Sequence, residues 1–342
     1  MTSRLLESFI SQRIACSPNP AIHFEWHGGE PTMLGIGRFR EILRLQDKYR
    51  KPGQTITNGL QTNGIGIDEE WACFLSARGF SVGLSLDGPA EVHDVFRRTA
   101  DDRPTHSRVV EAFGRLKKHK VFCNILCVLH RENVKNPDMV YGFFRELGVT
   151  YLQFLPLVQQ GCPDSDNQAA DADAIGDFLC RVFDLWIERD VGRIVIQTFD
   201  EALRPLFGFP HALCIHRETC GDVAVLEHDG SFYACDHFVD NEHIIGSLND
   251  RSLEDLSNDP GLIRFGNAKR DTLPAECCEC DVLASCNGGC PKDRFAVSAK
   301  GNTGLNYLCT AYKKFFRHSK PKLTLLAAHL KSGKPQRDFR SV

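Results

Sequence analysis

The 342-residue chain is long enough for a large domain and a smaller one, and its 42% hydrophobic and 25% charged residues are ordinary for a globular protein. A formal net charge of -3 gives no basic field to gather nucleic acid, and no apolar run approaches the roughly 20 residues that span a bilayer. The N-terminal MTSRLLESFI lacks the apolar core and cleavage site of a secretory signal. The expectation is a cytoplasmic protein with no nucleic-acid or membrane partner.

In chain order, MTSRLLESFI reads as a first helix and Ala21–Trp26 as a short strand closed by Gly28-Gly29. Helical spacing over Arg38–Tyr49 leads to a strand at Thr55–Gln61, which ends at Asn63-Gly64. Asp68–Arg78 is a helix with Asp68 as N-cap, Ser81–Leu86 a strand ending at Asp87-Gly88-Pro89, and Ser107–His119 a helix. Val121–Leu129 is strand-like, Pro137–Leu147 helical up to Gly148, Tyr151–Val158 a strand, and Gln168–Arg189 a long helix. This β-α-β-α rhythm with short connections predicts an α/β domain, a parallel sheet covered by helices and either open or curved into a barrel. The stretches that carry chemistry (HGGEP, QTNG and SLDGP) all fall at strand C-terminal ends, where such folds place their sites. After about residue 192 the helical periodicity fades, so the expected division is 1–192, a cysteine-rich region 193–320, and a basic tail 321–342 that is helical and then solvated.

Cysteine is the compositional outlier. Nine of the 15 lie between Cys214 and Cys309, a density that in a cytosolic chain points to metal or redox chemistry rather than to disulfides. The spacings are Cys214-x5-Cys220-x14-Cys235, then Cys277-x2-Cys280-x5-Cys286-x3-Cys290-x18-Cys309, with Cys278 beside Cys277. Eight thiolates suit two four-coordinate sites, and spacing alone leaves both iron–sulfur cubanes and structural zinc open. Gly288-Gly289 supplies tight backbone beside Cys290. Cys16, Cys73, Cys162 and Cys180 read as small core residues. Cys123-x3-Cys127-x2-His130 imitates a cluster motif but lies in a strand-like run, so it too reads as core.

The array, with Asp236 directly after Cys235, resembles the SPASM domain of anaerobic sulfatase-maturating enzymes. Gly28-Gly29-Glu30-Pro31 resembles the GGEP motif of radical S-adenosylmethionine (SAM) barrels, and Ser85-Leu86-Asp87-Gly88-Pro89 with Arg97 resembles another stretch of the same family. The resemblance implies a partial (β/α)6 radical SAM barrel without its first strand, followed by a SPASM auxiliary-cluster domain. It implies two auxiliary 4Fe-4S clusters with interleaved ligands: Cys214, Cys220, Cys235 and Cys290 for one, Cys277, Cys280, Cys286 and Cys309 for the other. Gly28, Gly29, Glu30, Ser85, Arg97 and Val158 would contact S-adenosylmethionine, with Arg97 toward its carboxylate. Asp236 would be the base that helps oxidise a cysteine or serine of a sulfatase peptide to Cα-formylglycine by radical chemistry. A flavodoxin or ferredoxin donor and a monomeric state complete the expectation. Other readings are a SPASM-type crosslinking maturase and a non-catalytic iron–sulfur protein. One departure stands out. The family's Cys-x3-Cys-x2-Cys loop, which binds the radical-generating 4Fe-4S cluster, is absent from these residues; the expectation is a shortened chain whose other motifs are intact and which is inactive as it stands.

Overall fold

The computed structural model describes residues 1–161, 167–221, 223–298 and 301–339, the side chain of Arg337 excepted. Cys162 lies outside the described residues. The chain opens with α1 (Ser3–Cys16), which Thr2 caps by accepting from Leu5 N at 3.2 Å. Then follow β1 (Ala21–Trp26), α2 (Gly35–Tyr49), β2 (Thr55–Thr62), α3 (Glu69–Ala77), β3 (Ser81–Ser85), α4 (Ala90–Phe96), α5 (His106–Lys118), β4 (Phe122–Leu129), α6 (Pro137–Leu147), β5 (Tyr151–Pro156), α7 (Ala172–Arg189), β6 (Val195–Ile196) and α8 (Gln197–Leu203).

The six strands form one all-parallel sheet in the order β1 to β6. Every crossover carries at least one helix, as parallel pairing demands. The fold is the α/β barrel-type sheet expected from the rhythm. Five strands fall where the sequence places them. The sixth, Val195–Ile196, is too short for any periodicity to announce, and it pairs with Tyr151 and Leu152 just past residue 192. All six C-terminal ends face one way, which puts HGGEP, QTNG and SLDGP at one end of the sheet.

The core is continuous from α1 through α7 and on to the final helix. Its aromatic centre is Phe183, Phe199 and Phe315, with centroids 5.3 and 5.5 Å apart. The C-terminal part contains an antiparallel sheet of β7 (Val225–Leu226), β8 (Ser231–Tyr233) and β9 (Ile244–Ser247), then α9 (Leu253–Ser257), α10 (Pro260–Asp271), α11 (Ala275–Cys278), α12 (Leu283–Cys286) and α13 (Cys309–Lys331). Helix α13 starts on a cysteine of the array and returns to lie along α7. There Gly176 allows a close approach: a Cβ at that position would stand 3.0 Å from Ala311 Cα. A second small core, Leu5, Phe232, Leu248, Leu253 and Leu256, ties α1 to the cysteine-rich region, helped by Leu253 N donating to Gln12 at 2.7 Å. The two parts are thus packed at both ends of the chain.

Candidate active site and auxiliary-cluster cages

The strand ends are held by buried hydrogen bonding. Gly28 and Gly29 have φ of +87° and +54°, backbone that only glycine adopts without strain. They turn the chain so that the Glu30 carboxylate points inward. One oxygen accepts from Thr32 N (3.1 Å), Thr32 Oγ1 (2.6 Å) and Thr62 Oγ1 (2.7 Å), and the other from Asn63 N (2.8 Å). Glu30 thereby bolts the GGEP turn onto the end of β2, and its charge is spent on the protein's own donors. What the turn presents outward is the exposed backbone of Gly28 and Gly29.

At the next strand end Asp87 is buried and forms a two-pronged ion pair with Arg97, Nη2 to Oδ1 at 3.2 Å and Nε to Oδ2. Asp87 Oδ1 also accepts from Val128 N at 2.8 Å, and Asn133 Nδ2 donates to the Asp87 carbonyl at 3.1 Å. One face of Arg97 is therefore committed; Nη1 makes no hydrogen bond among the described residues. Ser85 and Val158 are half-buried nearby in the strand-end layer. Helix α4, which sequence periodicity did not resolve, is what sets Arg97 in place. It also buries His93 completely, with Nδ1 accepting from Asp87 N at 3.2 Å and Nε2 paired with Thr105 Oγ1 at 3.0 Å.

Burial lowers the His93 pKa to about 4, so the ring stays neutral at neutral pH. In the unfolded chain the same ring protonates near 6.5. The unfolded state therefore binds the extra proton between those values, and stability falls as pH drops from 6.5 to 4. At 1.36 kcal/mol per unit that loss is about 3 kcal/mol. Apparent unfolding free energy measured across this window is expected to lose part of its slope in His93→Gln.

The sequence-predicted cysteines gather into two cages. Cys214, Cys220, Cys235 and Cys290 line one small cavity; Cys277, Cys280, Cys286 and Cys309 line another. These are the interleaved sets. Cys290 crosses over because residues 287, 288 and 289 run left-handed in succession, with φ of +47°, +71° and +62°. That hairpin tucks against Arg294 and Asn306, and a Cβ on either glycine would lie about 2.6 Å or less from one of their neighbours. Cys278 is exposed and outside both cages. Of the remaining cysteines, Cys127 is buried within β4 and Cys123 packs against the core, as a strand interior requires. Cys73 departs from the expectation of a core residue: it is exposed on α3, beside His119. His119 and Lys118 share Glu69 at 2.8 and 2.6 Å, so Glu69, Cys73 and His119 belong to a surface network whose carboxylate already carries a cation.

The donor set says what each cage fits. Four thiol donors line each cage, a set that four-coordinate zinc and a thiolate-held iron–sulfur cluster share, so the donor set fits a cluster and kinship decides between the two. Burial pushes the thiols of Cys235, Cys286 and Cys290 up to about 12, with the charges of neighbouring cage cysteines raising Cys286 and Cys290 further. Such thiols give up their protons readily only to metal.

Helix α10 presses on the first cage. A Cβ on Gly266 would come within 2.4 Å of the Cys220 carbonyl, and Cys220 N donates to the Gly266 carbonyl at 3.0 Å. Gly266→Ala is expected to displace Cys220 and to cut the iron bound at that cage, measured as iron per chain after anaerobic purification, while iron at the other cage persists.

A cavity of about 1020 Å³ joins the two halves of the site. Gly28, Gly29 and Glu30 line one side, and Asp236, Val223 and Phe232 the other. Asp236 is exposed, and its Oδ1 accepts from the Cys235 thiol at 3.3 Å. Ser85, Arg97 and Val158 lie beyond this cavity's lining.

Residues 12–144 match the radical SAM superfamily, and residues 214–281 match the iron-sulfur cluster-binding domain called SPASM. A serine-type anaerobic sulfatase-maturating enzyme of Bacteroides thetaiotaomicron is 36% identical over 96% of this chain and 83% of its own length. A cysteine-type enzyme of Clostridium perfringens is 33% identical over 97% of this chain and 90% of its own. The chain belongs to the anaerobic sulfatase-maturating enzyme family. A solved structure described as native anSMEcpe with bound AdoMet and Kp18Cys peptide superposes with a TM-score of 0.88 at 34% identity, covering 96% of this chain and 91% of that one. A likeness of fold alone extends to Streptococcus suis SuiB bound to S-adenosylmethionine, at 15% identity and a TM-score of 0.59, covering 85% of this chain and 66% of that one. Membership of this family makes the protein a radical SAM oxidoreductase by kinship, with SAM and SPASM-bound iron–sulfur clusters as its cofactors. No helix among the described residues is long and apolar enough to cross a membrane.

Proposed function

We propose that this protein serves the maturation of a sulfatase, with the peptide lying in the 1020 Å³ cavity between the GGEP turn and Asp236. The observation that carries the proposal is that one continuous cavity touches both the Gly28-Gly29 backbone and the carboxylate beside a cage cysteine. SAM, when bound with its own iron–sulfur cluster, supplies the radical that removes hydrogen from the peptide side chain. Everything else falls to this chain's groups. The carbonyls of Gly28 and Gly29 face an ammonium, Arg97 Nη1 offers a donor to a carboxylate, and Ser85 and Val158 complete the strand-end layer around the nucleoside. Asp236 would accept the peptide's thiol or hydroxyl proton, and the cage cysteines would hold the auxiliary clusters, which supply an electron acceptor when bound. Serine-type and cysteine-type relatives match this chain at similar identity, so the family's fold serves both substrate residues and the reading names a peptidyl cysteine or serine. Crosslinking maturases and non-catalytic carriers have no call on a carboxylate poised between cavity and cage, which favours the maturase reading. A flavodoxin or ferredoxin donor feeding a cytoplasmic monomer completes the reading.

These 342 residues hold no Cys-x3-Cys-x2-Cys motif. The chain as it stands is expected to bind peptide and auxiliary clusters without cleaving SAM reductively. With a segment carrying that motif supplied ahead of Met1, it is expected to convert a sulfatase peptide to its formylglycine form, read by mass. In that enzyme Asp236→Asn is expected to keep 5′-deoxyadenosine formation and to lower formylglycine yield roughly 10²-fold or more, as loss of a general base does. Undiminished formylglycine from Asp236→Asn would remove the assigned base.

A further inference from the structure

A buried lysine and a half-buried arginine lie beside the cages, and neither has a carboxylate partner among the described residues. Lys269 on α10 is 1% exposed, and its ammonium donates to the carbonyls of Cys214 (2.6 Å), Ile215 (3.0 Å) and Arg217. Arg294 donates through Nε to Gly288 O at 3.0 Å, through Nη1 to Lys269 O at 2.6 Å and through Nη2 to Asn287 O at 3.0 Å. Among the described residues no ion pair is formed by either. An uncompensated charge withdrawn from water is costly, and a fold that keeps a buried lysine beside a half-buried arginine is favoured by an anion nearby. Carbonyl dipoles satisfy their hydrogen bonds and cancel none of their charge.

The groups that face them with the opposite sign are the cage thiolates. Burial lowers the pKa of both cations, and the cage thiols oppose it: Cys220, Cys214 and Cys290 of one cage for Lys269, and Cys277 and Cys286 of the other with Cys220 and Cys290 for Arg294. Four thiolates around a 4Fe-4S core leave an anionic cluster, and reduction makes it more anionic still. A fixed cation at close range in a water-poor interior stabilises the reduced form over the oxidised one.

We propose that Lys269 and Arg294 form a cationic bridge that raises the reduction potentials of the auxiliary clusters, with Lys269 acting on the Cys214/Cys220/Cys235/Cys290 cluster and Arg294 on both. They are positioning residues: they touch neither peptide nor SAM, and they hold the ligand loops through backbone carbonyls while setting the field. The inference rests on the two-cluster reading, and the two fail differently. A chain without iron defeats that reading. Intact clusters with unmoved potentials defeat the inference alone.

The test is an anaerobic redox titration of the cluster-loaded protein, followed by electron paramagnetic resonance, with iron counted per chain. Lys269→Met is expected to lower one midpoint by at least a tenfold change in the one-electron equilibrium, 59 mV, and the other by less. Arg294→Met is expected to lower both. Lys269→Arg and Arg294→Lys keep the charge and are expected to keep the midpoints. If Lys269→Met fails to assemble its cluster, Arg294→Met against Arg294→Lys decides the matter. Midpoints that stay in place in the methionine variants with full iron, or that move as far in the charge-keeping variants, overturn the proposal.

Discussion

Replacing Cys290 by alanine is expected to remove one cluster and leave the other, taking iron from about eight to about four per chain. Cys290 follows Cys286 by four residues, and a sequential arrangement would assign the two to one centre. In the fold they face different cavities, Cys290 with Cys214, Cys220 and Cys235, and Cys286 with Cys277, Cys280 and Cys309. Cys290→Ala should therefore match Cys214→Ala in its remaining spectrum, and Cys286→Ala should match Cys309→Ala. The left-handed run at Asn287, Gly288 and Gly289 is the hinge of this crossing. Pairing of Cys290→Ala with Cys309→Ala instead would mean that the cages are divided differently.

Asp87→Ala is expected to be the most damaging substitution on the barrel side, at about 3 kcal/mol. Removing one partner of a buried ion pair typically costs 3–5 kcal/mol because the other charge is left unpaired. The lower end applies because the Arg97 side chain retains 27% exposure and can be rehydrated. The change also strips Val128 N of its acceptor. Thermal unfolding of the cluster-loaded protein should show an earlier barrel transition while iron content at the cages holds. Asp87→Asn should cost less, since the amide oxygen still accepts from Val128 N. Equal losses for the two variants would place the damage in packing rather than in charge.

The particular residues explain what the sequence could and could not tell. Strands with five or more residues and apolar alternation were legible, as were the turns that end them, because Gly, Asn and Asp mark those turns by backbone chemistry. Val195–Ile196 was not, since two residues carry no period, and neither was α4, whose seven residues sit inside a motif rich in charges. The cysteine spacing spoke for metal but left zinc open. Deciding for iron–sulfur took the match to the iron-sulfur cluster-binding SPASM domain, which spacing alone does not supply. Pairing of cysteines across the array came from family resemblance, and the fold brings the same sets to common cavities. Glu30 carries a duty that the motif does not announce: Thr32, Thr62 and Asn63 hold its carboxylate, at the rim of the cavity, against the end of β2. Lys269 and Arg294 gave no signal at all, because nothing local in sequence distinguishes a lysine or arginine held by carbonyls from one in solvent.

The most direct measurement is iron, acid-labile sulfide and zinc content of the anaerobically purified chain, with its Mössbauer spectrum. Two interleaved 4Fe-4S cages predict about eight irons and eight sulfides per chain, with both environments cubane-like. About two zinc ions per chain and no sulfide would contradict the account.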